Sequence, residues 1–399
     1  MTVWDTRGGR GTTGVWLVGA RGSVAVTTIA GTAALCAGLV RPTGCVTAQR
    51  ELSRLDLPRF DDLVFGGHDI GETPLVERAE RLAGEGVMPP GLPRLVRDGL
   101  LAAEEEVRPG ATGAGDGPGG RGPRDGRETQ EEAIRRLAGD ISSFRLRLGL
   151  DRVVVVNVAS PGPGVPRHPA HASLPALRRA LAAGEDVLSD ASLYACAALR
   201  ADCPYVDLTS PAGLRPPALR ELAAERELPY AGGDGRTGGA LLKSVLAPMF
   251  AQRALSVSSW SDGRTDGRGG GGDSDGGSGS HGGSDGGGDG GEGSGRRAAR
   301  DQVSFEGFLG VPMALRFTWQ GCEPALAAPL VLDLARLMAL ADRAGVRGPV
   351  PELAFFFQEP LREPPREPVP GGAPGGEGRS PAEQYATLVA WAHGLRVPV

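Results

Sequence analysis

The run Arg152–Val158 (RVVVVNV) constrains the fold more than any other stretch of this 399-residue chain. A continuous β-branched run predicts a strand covered on both faces, as in a parallel sheet. Shorter strands are predicted at Gly14–Gly19, Tyr205–Leu208 and Tyr230–Ala231, each followed by a helical pattern. This alternation, which continues from Gly14 to Phe250, predicts an α/β fold with a Rossmann-like, doubly wound parallel sheet.

A glycine-rich turn joins the first predicted strand to the first predicted helix. Gly19, Gly22 and Ala25 are spaced as in a shortened dinucleotide-binding fingerprint. Glycine lets a backbone approach a ligand closely, and the first N–H groups of a helix form a cradle for an anion. We therefore predict nucleotide contacts here, with close helix–strand packing as the alternative reason for the small residues. A second glycine-rich turn is predicted at Gly66–Gly71.

The stretch Gly232–Leu246 (GGDGRTGGALLKSVL) is a second candidate site. It predicts a strand end, a glycine-rich turn that carries an acid and a base, and a helix from Thr237 or Gly238. It also holds Lys243, the only lysine in the chain. An ordinary strand-to-helix connection would give the same pattern, so both interpretations stay open.

Composition limits the classes of function. A hydrophobic content of 40% with 23% charged residues is typical of a soluble globular protein, and the net charge of −5 gives no electrostatic footprint for nucleic acid. Five scattered cysteines without CxxC spacing predict a reduced, cytoplasmic protein. We expect no membrane span, because Asp333 and Arg336 interrupt the longest apolar segment, Ala325–Leu340. We also expect no metal, because Pro169 interrupts the His168–His171 pair.

Beyond Phe250 the patterns change. Strands are predicted at Leu255–Trp260, at Val303–Trp319 and at Leu353–Phe357. Helices are predicted at Ala325–Ala344 and Ala382–His393. The stretches 108–128 and 263–295 are low in complexity and poor in apolar residues, which predicts disorder.

Several blocks of the sequence resemble, in order, those of the inositol-3-phosphate synthases (myo-inositol-1-phosphate synthases). These blocks are Ser192–Ala198 (SLYACAA), Cys203–Pro204, Leu242–Leu246 (LKSVL), Cys322–Glu323 and Leu326–Leu334 (LAAPLVLDL). The resemblance implies conversion of D-glucose 6-phosphate to 1D-myo-inositol 3-phosphate with bound NAD, a step of inositol and phospholipid biosynthesis. It also implies a homotetramer whose only other partner is a sugar phosphate.

The resemblance implies a division of the chain into three parts. Residues 14–250 would form the NAD-binding Rossmann-like domain. Residues 251–321 would form an inserted α+β domain with an open mixed sheet, used in catalysis and oligomerisation. Residues 322–399 would return to the first domain.

Site residues follow from the same resemblance. The implied cofactor contacts are Gly19, Ala20, Arg21, Gly22, Ser23, Asp69, Asn157, Ser160, Ser192, Gly233 and Asp234. The implied catalytic residues are Asp234, Arg236 and Lys243. Capping of a helix is the alternative for Asp69 and Ser192, and a supporting structural role is the alternative for Lys243.

The chain departs from the family at its lysines. Arg236, Met313 and Gln358 stand where family members carry lysine. Arginine binds phosphate, but its high pKa prevents it from shuttling protons, and methionine and glutamine carry no charge. The sequence thus leaves open a divergent synthase, an NAD(P) oxidoreductase acting on another sugar phosphate, and an NAD-binding relative without catalysis that serves as a regulatory or interaction protein.

Overall fold

A computed structural model describes most of the chain. The described residues are 11–111, 128–160, 162, 165–209, 213–264, 297–361 and 380–396, with the backbone alone for 262–264 and 297–300. Most of the two segments for which the sequence predicts disorder, at 112–127 and 265–295, therefore lies outside the described residues.

Strands and helices alternate along the first part of the chain, as the hydrophobic pattern predicts. The strands are β1 (Thr13–Val18), β2 (Leu63–Asp69), β3 (Val107–Pro109), β4 (Arg152–Asn157), β5 (Tyr205–Asp207), β6 (Pro229–Gly232), β7 (Ser256–Arg264), β8 (Arg297–Glu306), β9 (Pro312–Gly321) and β10 (Gly348–Pro349). The helices are α1 (Ser23–Cys36), α2 (Leu75–Gly84), α3 (Leu92–Leu95), α4 (Arg97–Glu104), α5 (Gln130–Arg147), α6 (Leu174–Ala182), α7 (Asp190–Arg200), α8 (Pro217–Glu225), α9 (Gly238–Gln252), α10 (Glu323–Arg343) and α11 (Pro381–Gly394).

Seven strands form one parallel sheet in the order β10-β6-β5-β4-β1-β2-β3. This is the Rossmann strand order, in which the chain winds outward in both directions from β1. Along β1, Val15 and Leu17 enter a core beneath α1, α2 and α10, whereas Trp16 and Val18 enter a core beneath α5 to α8. Helices on both faces explain why the strands carry continuous apolar runs.

A second, antiparallel sheet is formed by β7, β8 and β9. The resemblance implied a mixed sheet here, but the described strands pair only in antiparallel fashion. Strand β7 reaches Arg264, so it extends two residues into the stretch for which the sequence predicts disorder. Helix α10 then returns to the first sheet, where it packs on α1 and contacts β4 and β6.

Two local predictions were wrong. Leu353–Phe357 is not a strand, because Pro351–Phe356 forms a 3₁₀ helix that follows the proline, and only Phe357 makes an isolated bridge to Gly235. The predicted turn at Gly66–Gly71 is largely the end of β2. Gly67 is needed there because a Cβ would lie 2.1 Å from Leu17 O of the neighbouring strand.

A buried polar network ties α10 to the segment after α1. Asp333 accepts hydrogen bonds from the backbone N–H groups of Val46, at 2.6 Å, and Thr47, at 2.9 Å. Arg336 donates to Pro58 O at 2.7 Å and lies over the Phe60 ring. Burial raises the pKa of Asp333 to about 6, against the opposing effect of its hydrogen bonds and of the nearby guanidinium.

By length and composition α10 is long and apolar enough to cross a membrane, but 67% of its most apolar window is buried within the protein. Its central residues Leu334, Leu337 and Met338 are fully buried in the core beneath the sheet. We therefore interpret α10 as a core helix.

Asp333→Ala should lower the free energy of unfolding by about 3–5 kcal/mol, because it leaves the buried Arg336 guanidinium without a nearby negative charge and the N–H groups of Val46 and Thr47 without an acceptor. Asp333→Leu combined with Arg336→Met should recover part of that loss, since no buried charge remains although the N–H groups of Val46 and Thr47 still lack their acceptor. Urea denaturation followed by circular dichroism measures both. A wild-type midpoint for the single variant would contradict this assignment.

Candidate functional site

The candidate site lies at the carboxyl edge of the parallel sheet. Strands β1, β4, β5 and β6 are neighbours in the sheet and end there at Val18, Asn157, Asp207 and Gly232. The Gly19 turn and the turn after Gly232 therefore face the same side, three strand spacings or about 14 Å apart. A ligand on this edge can contact both.

Gly19 brings the first turn against the loop that follows β4. Its φ of +83° suits glycine, and a Cβ on it would lie 2.8 Å from Ala159 Cα. The N–H groups of Gly19 and Ala20 both donate to His68 O, at 2.9 and 3.1 Å. Helix α1 has no side-chain cap at Gly22 and no acidic residue in its first turn, so its N-terminus can receive an anion.

Asp69 holds this turn in place from the end of β2. Its carboxylate accepts the N–H of Arg21 at 2.7 Å and the N–H of Gly71 at 2.7 Å. It therefore caps a turn and not helix α2, whose N-cap is Pro74. Its place at the end of the strand beside β1 is where Rossmann folds position the acid that binds ribose.

Arg21 points its guanidinium away from the cradle. It forms an ion pair with Glu104 at 2.5 Å and donates to Gly71 O at 2.9 Å. Its side chain thus fastens the turn to the segment before α2, and its backbone N–H is bound to Asp69. Ser23, the first residue of α1, accepts at its carbonyl from Thr27 Oγ1.

A buried carboxylate that sequence reasoning missed, Asp207, organises the ends of β4 and β5. It accepts from Asn157 Nδ2 at 3.2 Å, from Thr209 N at 3.2 Å and from Gly213 N at 3.0 Å. Asn157 also accepts the N–H of Ala159 at 3.2 Å, so its side chain shapes the loop that meets Gly19. The sequence signal that could have identified Asp207 is its position at the end of an apolar strand.

The two predicted serines lie in different surroundings. Ser160 is exposed in the loop after β4. Ser192 is buried in the first turn of α7, and the N-cap of this helix is Ser189, which accepts the Ser192 N–H. Capping therefore does not explain Ser192.

The turn after β6 is closed by a segment from far along the chain. Leu361 N donates to Gly232 O, and Gln358 N donates to Asp234 O, both at 2.7 Å. Gly233 accommodates this contact, because a Cβ on it would lie 2.4 Å from Glu359 O. We call residues 356–361 the closing segment.

Arg236 is engaged by the closing segment and by α11. Its guanidinium donates to Phe357 O at 2.7 Å and to Gln384 Oε1 at 2.8 Å. Among the described residues it has no carboxylate partner, and its buried Nε has no hydrogen bond. Burial lowers its pKa. The catalytic role predicted for Arg236 stays a prediction. Its observed contacts join the turn to the closing segment and to α11.

Carboxylates surround the start of α9. Desolvation, with Glu323 and Glu359 nearby, raises the pKa of Asp234, which is exposed at the surface. Asp301 of β8, which the sequence analysis did not identify, is buried, and its Oδ2 lies 3.6 Å from a Cβ placed on Gly239. The positive end of α9 therefore faces a carboxylate of the second sheet.

Lys243 lies about 8 Å along α9 from its first residue, on the exposed side. Its Nζ lies 5.8 Å from the centroid of the Trp260 ring on β7, a cation–π contact. Met313 is the second residue of β9. It pairs with Phe305 of β8, close to the turn that joins the two strands.

Arg152 lies away from this edge of the sheet. Arg152 begins β4 opposite Thr13, at the end of the sheet remote from the Gly19 turn, and its Nε lies 3.8 Å from Asp342 Oδ2. Within the described ranges, no group of three or more His, Cys, Asp or Glu side chains is arranged to hold a metal.

The strand order and the glycine turn define a protein of the Rossmann-like α/β class. A family model described as myo-inositol-1-phosphate synthase, and named for an NAD-binding domain, matches residues 13–371. The chain belongs to the myo-inositol-1-phosphate synthase family. Inositol-3-phosphate synthase 1 of Bacteroides thetaiotaomicron is 30% identical over 394 residues, which cover 88% of this chain and 90% of that protein.

Two solved structures share the fold. Inositol-3-phosphate synthase from Caenorhabditis elegans gives a TM-score of 0.74 at 17% identity, covering 97% of this chain and 86% of that one. A myo-inositol-1-phosphate synthase-related protein from Thermotoga maritima gives 0.68 at 21% identity, covering 97% and 100%. At these identities the likeness establishes the architecture alone.

Gly19→Ala should lower the free energy of unfolding by about 1–3 kcal/mol, because the turn has no room for a Cβ and φ is positive. Gly31→Ala in the middle of α1 is the matched control, since no atom lies within 4 Å of its Cβ position. The control should gain about 0.5–1 kcal/mol from helix propensity. Equal denaturation midpoints for the two variants would contradict the geometry described for Gly19.

Proposed function

We propose that this protein is an NAD-dependent isomerase that converts D-glucose 6-phosphate to 1D-myo-inositol 3-phosphate. The observation that carries the proposal is the family match over residues 13–371, together with two glycine turns on one edge of the sheet. In this role the protein would supply inositol for phospholipid synthesis.

The residues at the Gly19 turn fit NAD. The start of α1 has no side-chain cap and no acid in its first turn to compete with a pyrophosphate, and Gly22 lies at its N-cap. Asp69 would hold the adenosine ribose, and Asn157 and Ser160 line the loop toward the second turn. When bound, NAD supplies a hydride acceptor that can return the hydride. The residues named here orient it against the sheet edge.

Asp234 and Lys243 are the chain's own candidates for proton and charge transfer. A carboxyl whose pKa is raised by burial and neighbouring acids holds a proton closer to neutral pH, as an acid–base group must. The ammonium of Lys243 can stabilise a developing oxyanion. Its contact with Trp260 holds it on the side of α9 that faces the second sheet.

One observation favours a second function. The Arg236 guanidinium is taken up by Phe357 O and Gln384, and Gln358 stands in place of a family lysine. With neither residue supplying a cation to a substrate, the protein would be an NAD-binding relative without catalysis that serves as a regulatory or interaction protein.

Calorimetry with NAD and an assay for inositol phosphate from glucose 6-phosphate separate these functions. The isomerase should bind NAD and release product. NAD binding without product would support the second function, and no NAD binding would contradict both.

Lys243→Gln should lower the rate of product formation by about 100-fold or more, because no other lysine can replace its charge. Arg253→Gln, which removes an exposed cation at the other end of the same helix, is the matched control and should leave the rate unchanged. If Lys243→Gln retained the wild-type rate, Lys243 would have only a structural role.

We also propose that the protein forms a homo-oligomer, namely a homotetramer. Exposed apolar side chains lie along one side of α9, at Val245 and Met249, and along one face of β9, at Met313 and Leu315, with Val311 just before the strand. Burial of such a surface favours association of copies. Light scattering should give a multiple of the 41.1 kDa chain mass, and Val245→Arg should reduce it. A monomeric wild type would contradict this proposal.

A cytoplasmic location is proposed as well, supported by five cysteines that form no disulfide. Cell fractionation with an antibody would test it; recovery in a secreted fraction would contradict it.

A further inference from the structure

A polar network lies beneath the Gly19 turn, inside the core between β1, β2 and α5. Trp16 Nε1 donates to His68 Nδ1 at 2.9 Å, and His68 Nε2 lies 3.2 Å from Asp140 Oδ2. Trp16 and His68 are almost fully buried, and their rings meet edge to face with centroids 4.8 Å apart. An indole N–H can only donate, so Nδ1 must accept and the proton of the neutral imidazole is on Nε2.

The same histidine fixes the turn through its backbone. His68 O is the acceptor for both Gly19 N and Ala20 N, and His68 lies opposite Val18 in the β1–β2 register. The neighbouring residue Gly67 packs closely against the turn, because a Cβ on it would lie 2.8 Å from the Ala20 side chain. A change in the position of the imidazole is therefore transmitted to the start of the cradle.

We propose that His68 is a positioning residue for the dinucleotide, and that its neutral Nε2–H tautomer, held between Trp16 and Asp140, keeps the Gly19 turn in its binding shape. This inference rests on the proposed NAD binding.

Charged and titratable groups face His68 from three elements. Asp140 and Arg136 lie on α5, Arg108 lies on β3, and the Tyr194 ring of α7 is 5.8 Å away. Burial lowers the pKa of His68, Asp140 opposes that effect, and the two arginines add to it. The imidazole is thus neutral at physiological pH.

Acid should weaken cofactor binding. Protonation places a hydrogen on Nδ1, where it meets the Trp16 N–H, and the hydrogen bond between the two rings is lost. Because the pKa in the folded protein is below the ordinary value, the neutral network is complete above about pH 6.5 and is lost as the pH falls through that lower value. The loss of one hydrogen bond predicts an NAD Kd that rises about tenfold.

The experiment measures NAD affinity of the full chain by calorimetry from pH 8 to pH 5, with circular dichroism confirming the fold at each point. Asp140→Asn removes the carboxylate that favours protonation, so the midpoint of the wild-type profile should move about one pH unit lower. Trp16→Phe removes the opposing N–H, so the profile should flatten. The Trp16 indole resonance, assigned by its loss in this variant, should shift with the wild-type midpoint.

His393→Gln is the control, because this exposed histidine on α11 contacts Glu51 O and does not belong to the Trp16–His68–Asp140 network. It should keep the wild-type profile. If wild type binds NAD but Asp140→Asn and Trp16→Phe follow its profile unchanged, His68 does not position the turn. If wild type binds no NAD at pH 8, the proposed function and this inference both fall.

Discussion

The approach of Gly19 to Ala159 is the contact on which the candidate site depends. After β1 the chain turns toward α1 on one face of the sheet, and after β4 it turns toward the helices of the other face. A crevice forms where these two connections diverge. Only a residue without a Cβ lets the two backbones meet there, so the shape of the crevice beside the start of α1 follows from one close contact.

The electrostatics of the edge differ from one end to the other. Beside Gly19, the first turn of α1 has no side-chain cap and no acid, and the guanidinium of Arg21 is neutralised by Glu104. The acids Asp234, Asp301 and Glu323 lie at the start of α9, and the exposed ammonium of Lys243 lies further along the same helix. A phosphorylated sugar bound there would depend on Lys243 and on the dipole of α9 to a degree that is unusual for a polyanionic substrate.

The sequence predicts the elements whose signals are local. Strand β4, the Gly19 turn and α10 were correctly placed, because continuous apolar runs and glycine spacing reflect burial and turn geometry directly. The closing segment and Asp301 were missed, since their positions depend on partners more than 60 residues away along the chain. Leu353–Phe357 was misassigned because an apolar run of five residues fits a buried strand and a buried 3₁₀ turn equally well.

Arg236 illustrates the same limit at the level of chemistry. Its residue type and position in a glycine-rich turn are compatible with phosphate binding. Its actual acceptors, Phe357 O and Gln384 Oε1, lie 121 and 148 residues further along the chain. Propensity and spacing carry no information about such acceptors.

The late position of the closing segment in the chain also affects folding during synthesis on the ribosome. Strands β1 to β6 are synthesised first, whereas α10, which covers one face of the sheet, and residues 356–361, which close the turn at Gly233, come late in the chain. A nascent chain therefore carries the Gly19 turn long before the residues that close the second turn, so an early encounter with nucleotide would meet only the Gly19 half of the crevice.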